Sequence, residues 1–271
     1  MKLTRIAIGA GATALFAATG ALATTLVQQR RMRGMETLAQ TLPVHSKWWR
    51  EHAKREGELL YVVLGDSAAQ GIGASKPNRG YVGAIMNELA ETTGRSIRVV
   101  NLSIAGARLR EALELQLPAM RRLGPPDFVT VGIGANDIGS YDRERFEREI
   151  EELYSAMPPH TIVGDIPSFY IGAGERRVRE ANAILHETAR RHGLVVAPVY
   201  SETRRLGVLR YALNQVAADF FHPNDRGYKA WARAFLPLVR EVARGLRVRP
   251  VETSGAEASG SGAPGPGAPA Q

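Results

Sequence analysis

The chain has no cysteine among its 271 residues. This absence excludes disulfide bonds, zinc sites built on thiolates and a cysteine nucleophile. Bulky apolar side chains are almost missing after Thr253, where glycine, alanine, proline and serine dominate. Such a composition cannot bury enough surface to offset chain entropy, so it excludes a packed core there. The sequence therefore predicts a disordered tail at 249–271.

Positive charge is concentrated near the N-terminus. The net charge is +8, and residues 1–34 carry five basic side chains and no acid, which leaves +3 for the rest of the chain. Arginine and glutamate alternate through residues 143–149, as on a solvated helix face with oppositely charged neighbours. No nucleic-acid recognition motif accompanies the charge, so no nucleic-acid partner is expected.

Residues 6–27 form an uncharged apolar run behind Lys2 and Arg5. As a helix the run would be about 33 Å long, enough to cross a bilayer. Residues 21–23 (Ala-Leu-Ala) also match a cleavage site for a signal peptide. Residues 1–34 are thus predicted to be either a cleaved signal peptide or a membrane anchor through residues 6–27. The folded domain is expected to be exported or anchored at the cell envelope, outside the cytoplasm, although the basic residues after the run favour the opposite orientation.

The central part of the chain alternates between two patterns. Short apolar runs recur at 59–65, 97–103, 128–134, 161–166 and 194–199, and helical patterns cover 80–93, 109–123, 143–156, 175–192 and 225–244. Apolar strands alternating with helices predict a parallel sheet covered on both faces. We therefore expect one α/β domain at 58–248, a flavodoxin-like three-layer α/β/α sandwich with five parallel strands, preceded by an amphipathic or loosely helical connector at 35–57.

Residues that can carry chemistry follow the predicted strands, where ligands bind in such sheets. The candidates are Ser67, Asn136, Asp219 and His222. A serine hydroxyl becomes a useful nucleophile when a base removes its proton, and imidazole titrates near neutral pH. A carboxylate on the other ring nitrogen fixes the tautomer of that base. Ser67 as nucleophile, His222 as base and Asp219 as its partner form a plausible serine-hydrolase triad.

Four motifs resemble those of the GDSL, or SGNH, hydrolase family, in the order of that family. They are GDSAAQGIGA at 65–74, NLSIAGA at 101–107, GAND at 134–137 and DFFHP at 219–223. The resemblance implies oxyanion donors at the backbone N–H of Ser67, the backbone N–H of Gly106 and the side-chain amide of Asn136. It further implies a serine esterase or lipase that cleaves small-molecule or lipid esters through an acyl-serine intermediate, without a cofactor or metal. The first motif is closest to the lysophospholipase-like esterase branch.

Other functions compete with this hypothesis. A carbohydrate or peptidoglycan O-acetylesterase is the main alternative within the family. A non-catalytic ligand-binding module on the same fold is an alternative of another class. A metallophosphoesterase needs clustered histidine and aspartate ligands, whereas a single histidine accompanies the motifs. A nucleotide site is suggested by Gly71-Ile72-Gly73, but this GxGxxG pattern is incomplete.

The remaining polar residues near the motifs have simpler explanations. Asp137 is expected to cap the helix that follows it, and Asp66 to shape the turn beside Ser67. Asp165 is a reserve candidate for substrate contact, with a turn role as the alternative. We expect the other five histidines to be structural: His45, His52, His160, His186 and His192.

Overall fold

The computed structural model describes residue 29, residues 32–34 and residues 36–247. The apolar run at 6–27 and the tail at 249–271 lie outside these residues. Within the described part of the chain, no helix combines the length and the apolar character needed to cross a membrane. The predictions for the two termini therefore stay predictions.

Nine helices and five strands are described, with short 3₁₀ and π turns between some of them. The strands are β1 (Leu59–Gly65), β2 (Ile97–Asn101), β3 (Phe128–Gly132), β4 (Ile162–Gly164) and β5 (Val195–Ala197). The first helices are α1 (residues 36–53), α2 (Tyr81–Thr93), α3 (Leu109–Glu111), α4 (Leu117–Arg121) and α5 (Arg143–Ser155). They are followed by α6 (Gly172–Arg191), α7 (Val199–Arg204), α8 (Val208–Asn214) and α9 (Asp225–Arg247). A π-helical turn at Ala112–Gln116 joins α3 to α4.

All five strands are parallel, in the order β2-β1-β3-β4-β5. The chain reverses its direction of travel across the sheet after β2, which places a crevice at the carboxyl ends of β1 and β3. Gly65 at the end of β1 lies opposite Gly132 at the end of β3. The predicted flavodoxin-like α/β fold is confirmed.

Side chains of the central strand β1 point alternately to the two faces of the sheet, as the pleat requires. Val62 and Leu64 belong to a core that also includes α4, α5 and α6. Tyr61 and Val63 belong to a second core, formed with α1, α2 and α9. The sheet is therefore buried on both faces, and its central strands read as continuous apolar runs for that reason.

The structure adds elements that periodicity did not indicate. The short helices α7 and α8 precede the loop that carries His222, and a 3₁₀ helix covers Ala135–Ser140. Strands β2 to β5 are also shorter than their apolar runs, and the runs of β2 and β3 continue into the loops that carry site residues. The segment interpreted as a connector contains the regular helix α1, whose Trp49 is buried.

Candidate active site

Ser67 lies in a tight turn directly after β1. The Asp66 carboxylate accepts a hydrogen bond from the backbone N–H of Ala68 at 2.9 Å, and the carbonyl of Ser67 accepts one from Ile72 at 3.0 Å. A Cβ atom at Gly65 would lie 2.7 Å from the carbonyl oxygen of Gly132. Only glycine therefore allows β1 and β3 to approach each other this closely beneath the serine.

Two buried glutamines, Gln70 and Gln116, hold this turn, and neither was among the predicted site residues. The side chain of Gln116 forms hydrogen bonds with both the N–H and the carbonyl of Gly65, each 2.8 Å long. Gln70 donates to the carbonyl of Ser103 at 2.7 Å. Gln116 lies 51 residues after Gly65, and Gln70 lies 33 residues before Ser103. No local sequence pattern could have revealed these contacts.

The loop at 219–223 is folded around the Asp219 carboxylate. One oxygen accepts hydrogen bonds from the backbone N–H groups of Phe221 and His222, both 3.1 Å long. The other lies 2.6 Å from Nδ1 of His222. The carboxylate thus holds the imidazole ring from the side opposite Ser67, and this bond assigns the Nδ1 proton to the neutral ring.

The loop brings His222 to Ser67. Nε2 of His222 lies 2.8 Å from Oγ of Ser67, within hydrogen-bonding distance for proton transfer. Gly73 permits the approach: its φ is +94°, and a Cβ there would lie 2.4 Å from the carbonyl oxygen of Pro223. The Gly71-Ile72-Gly73 segment therefore packs the two loops together rather than forming a dinucleotide turn.

Burial and hydrogen bonding oppose each other at Asp219. Burial acts to raise the pKa of its carboxyl, but the hydrogen bond and charge of His222 and the two backbone amides outweigh burial and lower that pKa below its usual value. Asp219 is therefore a carboxylate at neutral pH, suited to stabilise an imidazolium at position 222.

Two of the residues with predicted oxyanion donors, Gly106 and Asn136, line one cavity together with Ser67, whose own N–H is the third predicted donor. The amide of Asn136 donates to the carbonyl of Ala107 at 2.9 Å, which ties it to the loop of Gly106, and lies 3.3 Å from the Asp66 carboxylate. Among the described residues, no protein acceptor lies within hydrogen-bonding distance of the backbone N–H of Ser67 or Gly106. Gly106 has a φ of +79°, and a Cβ there would meet open space, so glycine is required by the backbone conformation rather than by crowding.

The carboxyl of Asp66 is buried between the nucleophile turn and Asn136. Burial raises its pKa to about 6, although the Ala68 amide and the charge of His222 act in the opposite direction. The expected turn-shaping contact is present, and the carboxylate also positions the Asn136 amide.

A cavity of about 360 Å³ opens beside Ser67, which we call the first cavity. Its lining is mostly apolar and aromatic: Pro167, Phe169, Tyr170, Ile171, Val208, Tyr211, Phe220, Phe221 and Trp231. Ser67, Asn136 and His222 form its polar end. Such a site suits a ligand with a polar reacting group and an apolar body.

The expected role of Asp137 is wrong. Asp137 accepts a hydrogen bond from the backbone N–H of Leu109 at 3.2 Å, at the start of α3, and Asp142 caps the following helix α5 instead. A contact 28 residues away in the chain thus replaces the local cap. Asp165 accepts hydrogen bonds from the N–H of Tyr200 at 2.6 Å and from His186 at 3.0 Å, so it anchors the start of α7 and does not line the first cavity.

Among the described histidines, His222 alone contacts Ser67. His45 and His52 lie in α1, His186 in α6, His192 just after α6 and His160 in a loop before β4. Within the same described residues, no group of three or more histidine or acidic side chains is arranged to hold a metal ion.

A parallel α/β sandwich with this Ser–His–Asp chain at the carboxyl edge of its sheet defines the serine hydrolase class. The model of the GDSL-like Lipase/Acylhydrolase family matches residues 63–230, more than half of the chain. The chain belongs to this family, and the predicted resemblance is confirmed.

Individual relatives are more distant. A GDSL-like esterase of Mycobacterium tuberculosis, Rv1075c, is 36% identical over 91 residues, which cover 33% of this chain and only 28% of that protein. The crystal structure of LAE5, an α/β hydrolase enzyme from the metagenome of Lake Arreo, Spain, has a TM-score of 0.57 at 25% identity, covering 67% of this chain and 94% of its own. A variant of Axe2, an acetyl xylan esterase from Geobacillus stearothermophilus, has a TM-score of 0.55 at 22% identity, with 67% and 94% covered, and shows the fold alone.

Proposed function

We propose that this protein is a serine esterase that hydrolyses carboxylic esters through an acyl-Ser67 intermediate. His222 takes the Ser67 proton as Oγ attacks the ester carbonyl, and then donates it to the departing alcohol. Asp219 keeps the ring oriented and stabilises its charged form. The observation that supports this proposal most directly is the continuous hydrogen-bonded chain of the triad. Asp219 lies 2.6 Å from Nδ1 of His222, and Nε2 of His222 lies 2.8 Å from Oγ of Ser67.

The tetrahedral intermediate formed by this attack carries a negative oxygen. The N–H groups of Ser67 and Gly106 and the amide of Asn136 are the donors proposed to stabilise it. The Asn136 amide would keep its bond to Ala107 and exchange the longer contact with Asp66, at 3.3 Å, for one with the oxyanion. Removing one donor of this kind typically lowers the rate by about 10²- to 10³-fold. Water activated by His222 then hydrolyses the acyl-enzyme and regenerates Ser67.

The first cavity supports an ester with an apolar arm. Aromatic and aliphatic side chains dominate its wall, and Ile171, Val208 and Phe220 remain partly exposed at its mouth. An acetylated sugar, the substrate of the alternative function, would leave this apolar wall largely unfilled. The geometry therefore favours acyl or alkyl esters of lipid-like or small apolar compounds.

A fluorophosphonate probe tests the nucleophile. The full-length wild-type protein should become labelled, whereas Ser67→Ala should not. Ser155→Ala, at the exposed end of α5, is the matched control and should label like the wild type. Labelling that persists in Ser67→Ala would refute the assignment.

A panel of substrates tests whether the preferred ester has an apolar arm. The kcat/KM of the full-length enzyme should rise from p-nitrophenyl acetate to esters of medium-chain acids, each corrected for the rate of Ser67→Ala. A clear preference for acetylated sugars over every p-nitrophenyl ester would instead support the O-acetylesterase alternative.

The proposed site of action is the cell envelope, through export or anchoring by residues 6–27. Support comes from the uncharged apolar run and its basic start. Full-length protein expressed in bacteria should either resist alkaline extraction from membranes or appear outside the cytoplasm as a shortened chain. An unshortened protein that is soluble in the cytoplasmic fraction would contradict this localisation.

A further inference from the structure

Helix α1 precedes the stretch matched by the family model, yet it contacts the nucleophile loop directly. Nδ1 of His45 and Nε1 of Trp49 each lie 3.1 Å from the carbonyl oxygen of Gln70. The Ser46 hydroxyl donates to the side-chain oxygen of Gln70 at 3.2 Å. Since Gln70 is three residues after Ser67, these bonds fix α1 against the nucleophile turn.

Gly34, a helical residue just before the range given for α1, packs against the loop that carries the other half of the triad. Gly34 is buried, and a Cβ there would lie 2.2 Å from the carbonyl oxygen of Ala218 and 2.6 Å from the backbone nitrogen of Asp219. No larger residue fits without displacing one of the two backbones. The N-terminal segment therefore spans both loops that form the candidate active site.

Between these two contacts, α1 forms the wall of a second cavity of about 360 Å³. Leu38, Ala39 and Leu42 provide this wall, and Ile72 and Ala105 lie across from it. The cavity shares Ser67, Asn136, Phe221 and His222 with the first cavity. Among the described residues that line it, Asp219 alone is charged, and its carboxylate is already bound to His222.

We infer that α1 is part of the substrate-binding site and that its cavity holds one arm of the ester. This inference rests on the proposed esterase function and extends it. An ester carbonyl carbon carries an acyl chain and an alkoxy group, which diverge from the carbon attacked by Ser67. Two largely apolar cavities meeting at Ser67 accommodate one arm each. The substrate class is thus an ester with apolar groups on both sides of its carboxyl carbon.

The test lengthens the two arms separately. One series contains ethyl esters from acetate to decanoate, and the other contains acetates of alcohols from ethanol to octanol. In Leu42→Trp, which fills the second cavity, the ratio of kcat/KM for the longest member to that for ethyl acetate should fall at least tenfold in one series only. Leu42→Ala should leave room for a longer arm in that same series and raise the ratio.

Val44→Trp is the matched control, because Val44 lies on the same helix, is exposed and lines neither cavity. Its ratios should equal those of the wild type. If Leu42→Trp and Leu42→Ala change both series equally or leave both unchanged, α1 has only a structural role and the inference fails. If the wild-type enzyme hydrolyses no ester of either series and reacts with no fluorophosphonate, the proposed function fails with it.

Discussion

The side-chain amide of Gln116 binds both backbone polar groups of Gly65, two residues before Ser67, through two hydrogen bonds of 2.8 Å. Gln116 comes from the π-helical turn between α3 and α4 and is almost fully buried. Together with the pairing of β1 to β3, it fixes the end of β1 and so holds the backbone from which the nucleophile projects.

Replacing Gln116 by leucine should therefore destabilise the fold and misplace Ser67. The Gly65 carbonyl would still accept a hydrogen bond from the N–H of Ile104 at 3.2 Å, so the variant leaves the Gly65 N–H without its partner. An unsatisfied buried backbone group costs about 1–3 kcal/mol, so the free energy of unfolding should fall by about that amount. Urea denaturation measures this loss. Gln40→Leu, on the exposed side of α1, should stay within about 0.5 kcal/mol of the wild type.

Asp219→Asn tests the orientation of the imidazole. Asparagine keeps an oxygen for the amides of Phe221 and His222 but presents an N–H to Nδ1. The ring must then carry its proton on Nε2, where it cannot accept one from Ser67. We expect kcat to fall by about 10⁴-fold, since this is the size of a tautomer defect in such triads.

Asp219→Ala separates orientation from loop folding. Alanine also removes the acceptor of the two backbone amides, so it should lower the free energy of unfolding more than asparagine does. If Asp219→Asn retains more than a tenth of the wild-type kcat on p-nitrophenyl esters, the proposed role of the carboxylate is refuted.

Gly73→Ala should separate the two catalytic loops. The new methyl group would lie 2.4 Å from the carbonyl oxygen of Pro223, at a φ of +94° that alanine rarely adopts. A displacement of about 1 Å at His222 can cost on the order of 10² in rate, so kcat/KM should fall by about that factor. Gly245→Ala, where a Cβ meets open space in α9, is the control and should retain full activity.

Asp137 makes stability depend on pH. Burial raises its pKa to about 6, whereas the unfolded chain titrates near 3.8. Between these values the native state binds more protons, so the contribution of Asp137 to stability falls as pH rises from about 4 to 6 and stays low above that. The wild type should therefore lose about 1–3 kcal/mol of unfolding free energy relative to Asp137→Asn across this window.

Denaturation at pH 4 and at pH 7.5 measures this difference for both proteins. Asp66 also has a pKa raised to about 6, but it is present in both proteins and its effect cancels. If the unfolding free energy of the wild type minus that of Asp137→Asn stays constant or rises between pH 4 and pH 7.5, Asp137 is not held in a site that disfavours its charge.

The fold class and most of the candidate site residues could be predicted from the sequence. Alternating apolar runs and helical patterns predicted the parallel sheet, because a strand buried on both faces needs apolar side chains in succession. The four motifs predicted which side chains lie at the carboxyl edge, since parallel strands all end there. The separation of 2.8 Å between Ser67 and His222 agrees with that expectation, and their catalytic roles stay predictions.

The tertiary structure alone decided what surrounds those residues. Gln116 bonds to Gly65 across 51 residues of the chain, and Asp137 accepts a hydrogen bond from Leu109 instead of capping the adjacent helix. Helix α1 contacts the candidate active site from outside the stretch matched by the family model. Contacts of this kind depend on how elements pack, and a single sequence contains no periodicity or spacing that reports them. The local chemistry of the chain thus determined the fold class and the candidate site residues, whereas long-range packing decided which buried groups hold them and which surfaces face the substrate.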